Sequence, residues 1–223
     1  MARKSDVTRP RLSREAIVAG AVALADAEGL DAVTIRRLAQ EHGVTPMAMY
    51  WHFSDKDSLL DGLAEHLIEA VKLPAPTDAP WDAQLREVLA AFLVAVRPHP
   101  ALANLTLRRI LAAEPGLEIA ERVLELLQRA GFTPARGAEV GTFLVCSIIT
   151  LVAADPSPAP PRPEVDEDQA RRDKLARLAS LPPERYPRVI AAGPALVACR
   201  DGDDYFDLNI DLLVEGVRGV RRR

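Results

Sequence analysis

The sequence predicts an all-α protein, with an N-terminal three-helix helix-turn-helix head and a larger C-terminal helical body. Three observations carry this reading. Apolar residues recur at helical spacing along most of the chain. Ala, Leu and Val are abundant while only 4% of residues are aromatic, and no run of alternating β-branched residues competes. Helix-start signals also repeat with one grammar between Ser13 and Thr45.

Ser13 is placed to cap the first helix, with Leu12 and Ile17 as the hydrophobic staple that sets how the chain joins it. This helix is expected through Ile17, Ala21 and Leu24 to about Ala27, ending at Gly29. Thr34 caps a short second helix, with Val33 and Leu38 as its staple, before Gly43. Thr45 caps a third, with Pro46 at its first position, where the missing N–H is harmless, and Val44 and Met49 as its staple. A fourth helix starts at Ser54 or Asp55 and carries Leu59, Leu60, Leu63, Leu67 and Val71. Head and connecting helix occupy 13–73, after a basic arm over 1–12.

The proline-rich stretch from Leu73 to Pro80 reads as a hinge. The body, 80–223, is expected to hold helices near 81–97, 102–113, 116–130, 135–154 and 203–220. Residues 155–167 are proline-rich and acidic and are expected to form a flexible loop. Prolines at 182, 183, 187 and 194 argue against a long helix in 168–200.

Composition narrows function. A net charge of −4 excludes a uniformly basic nucleic-acid coat, yet Arg3, Lys4, Arg9, Arg11 and Arg14 face only Asp6 in the first fourteen residues, a balance suited to a polyanion or to a solvated tail. Cys146 and Cys199 lack metal-ligand spacing, so no metal or cofactor is expected. Nor is there a Gly-rich phosphate loop, HExxH or GxSxG motif to suggest an enzyme. Without a signal peptide, and with Phe143–Ala154 too short to span a bilayer, a cytoplasmic protein with no membrane partner is expected.

The head carries the chemistry. Ile35, Leu38, Ala39, Val44, Met49 and Phe53 should bury against the first helix, turning Met47, Tyr50 and Trp51 of the third outward, toward a DNA major groove of matching width. Thr34 and Thr45 place hydroxyls and free N–H groups where a phosphate is favoured. Tyr50 and Lys56 can bind phosphates. Arg36 is the base-reading candidate, its fork matching guanine O6 and N7, and Pro46, Met47 and Ala48 offer apolar contact to thymine methyls. Arg37 is expected to solvate a face, His52 to hydrogen-bond within the head, and His42 to lie exposed.

Residues 12–64, and GVTPMAMYWHFSDKDSLL in particular, resemble the DNA-binding domain of the TetR family, the Tyr-Trp-His-Phe run followed by Lys56 pointing to the tetracycline-repressor branch. Trp81, His99-Pro100, Ala130-Gly131-Phe132 and the late FDLNIDLLVEGV resemble that branch's C-terminal domain. The resemblance implies nine or ten helices and a dimer built on a four-helix bundle. It implies DNA contacts at Thr34, Arg36, Pro46, Met47, Ala48, Tyr50, Trp51, His52 and Lys56. Pro46, Met47 and Ala48 replace the branch's glutamine, proline and threonine, so a different operator is expected. The branch's magnesium-drug histidine has no match in Leu102–Thr106, which argues against tetracycline.

Phe206, Ile210, Leu213, Val217 and Val220 follow a 4-3-4-3 seam that, with Leu144, Ile148 and Leu151, is expected to form the dimer interface. The expected effector pocket draws on Trp81, Phe92, Leu105, Arg108, Arg109, Phe132, Phe143 and Ser147. The sequence thus predicts a homodimeric repressor, bound to double-stranded palindromic operator DNA and released by a small-molecule effector. An activator, or an architectural DNA binder without a ligand, is the alternative.

Overall fold

The computed structural model describes residues 12–155, 167–198 and 202–221. These form eleven α-helices and one short 3-10 turn (Leu30–Ala32), with no strand among the described residues. The basic arm up to Arg11, most of the acidic proline loop and Cys199 lie outside them.

The first four helices begin where their capping residues dictate. Ser13 Oγ accepts from Ala16 N at 3.1 Å at the start of α1 (Arg14–Glu28), and Thr34 Oγ1 accepts from Arg37 N at 3.1 Å at α2 (Ile35–Glu41). Thr45 Oγ1 accepts from Ala48 N at 3.3 Å at α3 (Pro46–Tyr50). At α4 (Lys56–Glu69), Asp55 accepts from Ser58 N at 2.7 Å while Ser58 Oγ accepts from Asp55 N at 3.2 Å, a reciprocal capping box. Between α2 and α3 the chain passes through Gly43 at φ +64°, a conformation that costs glycine nothing and a side chain much more.

Five helices continue the chain: α5 (Trp81–Val96), α6 (Ala103–Arg109), α7 (Glu114–Arg129), α8 (Pro134–Ala153) and α11 (Gly202–Arg221). Between α8 and α11 lie α9 (Glu167–Ala179) and α10 (Pro187–Val197). One compact unit contains the chain up to Ala154 together with residues from Ile210 onward; the other is Asp155–Asn209. The proline segment 73–80 lies inside the first unit.

Two helix lengths differ from the expectation. α6 stops at Arg109 rather than near 113, and α7 starts at Glu114 with Pro115 in its first turn. The cause is close backbone approach. Gly116 backs directly onto the Ile110 carbonyl, leaving no space for a Cβ, so the chain must turn between them. Among the described residues of the second unit, the prolines fall mostly outside helices: Pro182 and Pro183 sit in the connection, Pro187 opens α10, and only Pro194 is internal. Gly193 of α10 packs on Leu175 and Leu178 of α9.

The α8 helix corrects the reading of Phe143–Ala154 as too short to span a bilayer. Its 20 residues contain an 18-residue stretch of mean hydropathy 1.5, long and apolar enough to cross one by length and composition. The apolar run is only the later part of a helix expected near 135–154 and observed over Pro134–Ala153, so the length of the run alone understates the apolar span. The helix packs against α5, α6 and α7 in the first unit.

Candidate functional site

The head core is built from α1, α2 and α4 around Met49 and Phe53, which are fully buried, as are Ile17, Leu38, Leu59 and Leu63. Burying these residues turns the other side of α3 to solvent. Met47 is 69% exposed, Trp51 86%, and Tyr50 about half. Thr34, Arg36, Thr45, Pro46 and Lys56 are exposed as well, while Ala48 and His52 are partly buried. The hydroxyls of Thr34 and Thr45 accept their cap bonds and keep their hydrogens for donation to a phosphate oxygen.

Charge on α2 is divided between its two arginines. Arg37 is tied to Glu28 at 2.7 Å and Glu41 at 3.0 Å, and its guanidinium is held above its ordinary range, first by the hydrogen bond to Glu41 and then by the Glu28 charge. Arg36 has no such partner among the described residues, so its fork is open to a ligand. Arg37 therefore belongs to the scaffold, whereas Arg36 is exposed and makes no described contact.

The structure adds residues that the sequence did not single out. Arg14, grouped by composition with the basic arm, lies 4.5 Å from the centre of the Phe53 ring, donates to the His52 carbonyl at 3.4 Å and pairs with Glu65 at 3.5 Å. It fastens the end of α3 to α1 and α4. The described hydrogen bonds of His52 are made by its backbone, the N–H donating to the Met49 carbonyl at 2.9 Å and the carbonyl accepting from Arg14; no hydrogen bond of its ring is described, contrary to the expectation that it bonds within the head. His42 is not simply exposed either: a Cβ on Gly20 would meet its ring at 2.7 Å, so the imidazole covers a gap on α1 left for it.

Contacts to the head come from α6 and the turn before it. Leu102 and Leu105 are buried in the head core. His99 Nδ1 lies 2.7 Å from Asp26 Oδ2 on α1, and Arg109 pairs with Asp61 on α4.

On its other side α6 borders a cavity of about 250 Å³. Leu107, Arg108, Ile110 and Leu111 form one wall; Ile119, Ala120, Val123 and Leu124 of α7 the second; Ala138, Gly141, Thr142 and Val145 of α8 the third. Of the residues expected to line the effector pocket, Arg108 lines this cavity. Phe92 is core, Leu105 belongs to the head, Arg109 is paired with Asp61, and Phe143 is 61% exposed. Ser147 donates back to the Phe143 carbonyl at 2.8 Å, and Trp81 and Phe132 are half-buried elsewhere. Aromatic residues suggested a pocket, but this one is aliphatic. Its signal in the sequence is on α7, where Ala120 and Leu124 widen the apolar arc beyond the Ile119, Val123, Leu126 stripe that the core needs.

The 4-3-4-3 seam also finds a different place. Phe206, Ile210 and Val217 are buried within the chain, as are Leu144 and Ile148; Leu151 and Leu213 are half-buried. Of the eight, only Val220 is exposed. Periodicity marks an apolar stripe without saying which body it meets. The outward apolar residues are Phe143 on α8 and Leu208 and Leu212 on α11, with Gly216 and Gly219 open beside them.

Residues 17–63 match the model of tetR-family bacterial regulatory proteins, and residues 73–221 match the tetracyclin repressor-like C-terminal domain. The chain belongs to the TetR family. This TetR-family regulator is 30% identical over 217 residues to the class C tetracycline repressor protein of Escherichia coli, covering 95% of this chain and 93% of that protein. It is 29% identical over 221 residues to an HTH-type transcriptional regulator of Saccharopolyspora erythraea, covering 96% and 88%. Among solved structures, the TetR family protein ActR of Streptomyces coelicolor, in complex with actinorhodin, superposes with a TM-score of 0.77 at 27% identity, covering 96% of this chain and 100% of that one. The protein is thus a helix-turn-helix transcriptional regulator; members of its family are regulators rather than enzymes.

Proposed function

We propose that this TetR-family regulator is a cytoplasmic homodimeric repressor that holds a palindromic operator and releases it when a small molecule occupies the α6–α7–α8 cavity. The observation that carries this reading is the double duty of α6. Its cavity side presents Leu107 and Arg108, and its other side places Leu105 in the head core and Arg109 on Asp61 of α4. A shift of α6 on ligand binding is therefore felt by the helix that positions α3. The ligand must bind the DNA-released arrangement more tightly; equal affinity for both would move nothing. ActR, solved with actinorhodin, supports a ligand-binding body, and the named repressors among the relatives support repression.

Dimerisation supplies two α3 helices for paired half-sites about one helical turn apart. The outward faces of α8 and α11 fit that role, with Phe143 and Leu212 each 61% exposed and the Gly216 and Gly219 backbone open to close approach. In this reading Thr34, Thr45, Tyr50 and Lys56 hold phosphates, Arg36 reads a guanine, and Pro46, Met47, Ala48, Trp51 and His52 complete the contact surface.

The test is footprinting on the DNA flanking the protein's own gene, alongside sedimentation. Two symmetric protected half-sites and a dimer are expected. Diffuse protection, or a monomer at footprinting concentrations, overturns the reading.

A further inference from the structure

We infer that the α6–α7–α8 cavity is a site for small apolar acids, with Arg108 as the carboxylate anchor. The inference rests on the effector reading only in choosing the cavity; its own test requires no DNA.

The walls are almost wholly aliphatic, and their polar side chains are Arg108 on α6 and Thr142 on α8. No carboxylate lines the cavity. The glutamates of α7 that lie nearby, Glu114, Glu118, Glu121 and Glu125, line an adjoining groove beside Leu73 and Pro76, which shares Leu111, Ala120 and Leu124 with the cavity.

Arg108 differs from the other arginines of α6 and α7. Arg109 is paired with Asp61, Arg122 with Glu125 and Gln84, and Arg129 donates to the Ala79 carbonyl. Arg108 has no partner among the described residues. A guanidinium left unpaired beside an apolar cavity favours an anion that it can bind through two parallel hydrogen bonds. The Thr142 hydroxyl, also without a described partner, supplies a further donor.

Size limits the occupant. A volume of about 250 Å³ lies just below the ordinary range for small-molecule pockets, so the occupant has one short chain or one to two rings. Leu107, Leu111 and Leu124 are partly exposed at the cavity, so apolar surface on the ligand buries theirs in turn.

Calorimetric titration of the intact protein tests this with octanoate and 2-naphthoate, against methyl octanoate and octylammonium. One or both acids are expected to bind about tenfold or more tightly than the ester and the amine, the margin of a charge-assisted hydrogen bond. Arg108→Gln should erase that margin, and because Arg108 is exposed and unpaired the variant should melt as the parent does. Ala138→Leu, which fills the α8 wall, should abolish binding of the acids. The inference is overturned if neither acid binds at millimolar concentration, if ester or amine binds as well as the acids, or if Arg108→Gln leaves acid binding unchanged. Arg108-dependent binding that leaves operator affinity unaltered upholds the acid site and defeats the release mechanism.

Discussion

Arg109 of α6 and Asp61 of α4 are joined side chain to side chain, and the turn before α6 repeats the connection through His99 and Asp26 at 2.7 Å. Both pairs cross from the body to the head, so they offer a way to separate DNA affinity from its control. Asp61→Asn should leave operator affinity within a few-fold while shrinking the ligand-induced change, of which couplings typically carry about 1–3 kcal/mol. Gel shifts with and without the effector measure both. An unchanged ligand response rules this pair out as a conduit.

Arg36→Ala should relax discrimination at one base step and cost about 1–3 kcal/mol on the preferred operator. Lys56→Ala should weaken all sequences alike and flatten the dependence of log K on log salt by about one phosphate contact. Competition binding across single-base operator variants at several salt concentrations distinguishes the two.

Arg14→Ala removes the guanidinium that covers Phe53 and ties the α3–α4 junction. An exposed cation–π contact contributes about 0.5–1 kcal/mol, so a modest loss of stability is expected. Operator affinity should fall equally for all base variants, because α3 is loosened as a body. A selective effect at one base would show instead that Arg14 touches DNA.

Asp82 of α5 accepts from Arg218 of α11 at 2.6 Å. Burial pushes its carboxyl upward, but the Arg218 hydrogen bond, the Ala83 N–H and the Arg218 charge outweigh it and hold the group below its ordinary value. The sign follows from linkage: a carboxyl depressed by folding adds stability that is complete above the unfolded value near 3.9 and disappears as pH falls through the lower folded value. Asp82→Asn should therefore lower the melting temperature at neutral pH and narrow its difference from the parent in acid. Melting curves from neutral pH down to about pH 3 check this.

Gly116→Ala places a methyl on the Ile110 carbonyl. Forcing atoms into a packed position costs about 1–3 kcal/mol or more, and here the obstacle is backbone, which cannot rotate away. Denaturant unfolding should show that loss, whereas Gly141→Ala, whose Cβ would meet Val123 at an ordinary 3.5 Å, should be near neutral.

Local chemistry was legible in the sequence because it acts over a few residues. Ser13, Thr34 and Thr45 cap the helices they announce, and Met49 and Phe53 are buried as their spacing requires. What spacing could not reveal was which partner each face meets. The stripe through Phe206, Ile210 and Val217 is buried within the chain, and the turn that ends α6 depends on Gly116 meeting Ile110 from the next helix. The aliphatic cavity is hidden in the sequence for the same reason: its three walls come from separate segments, around α6, on α7 and on α8, and none carries a motif. His42 over Gly20 is legible only once both helices are in place.

The outward tip of α3 has a consequence for how such a regulator diversifies. Met47 and Trp51 contribute almost nothing to the head's interior, since Met49 and Phe53 fill it. Substitutions at the tip therefore leave the fold's interior intact, and under the proposed function they would redirect the protein to new promoters, so that one scaffold could found many circuits.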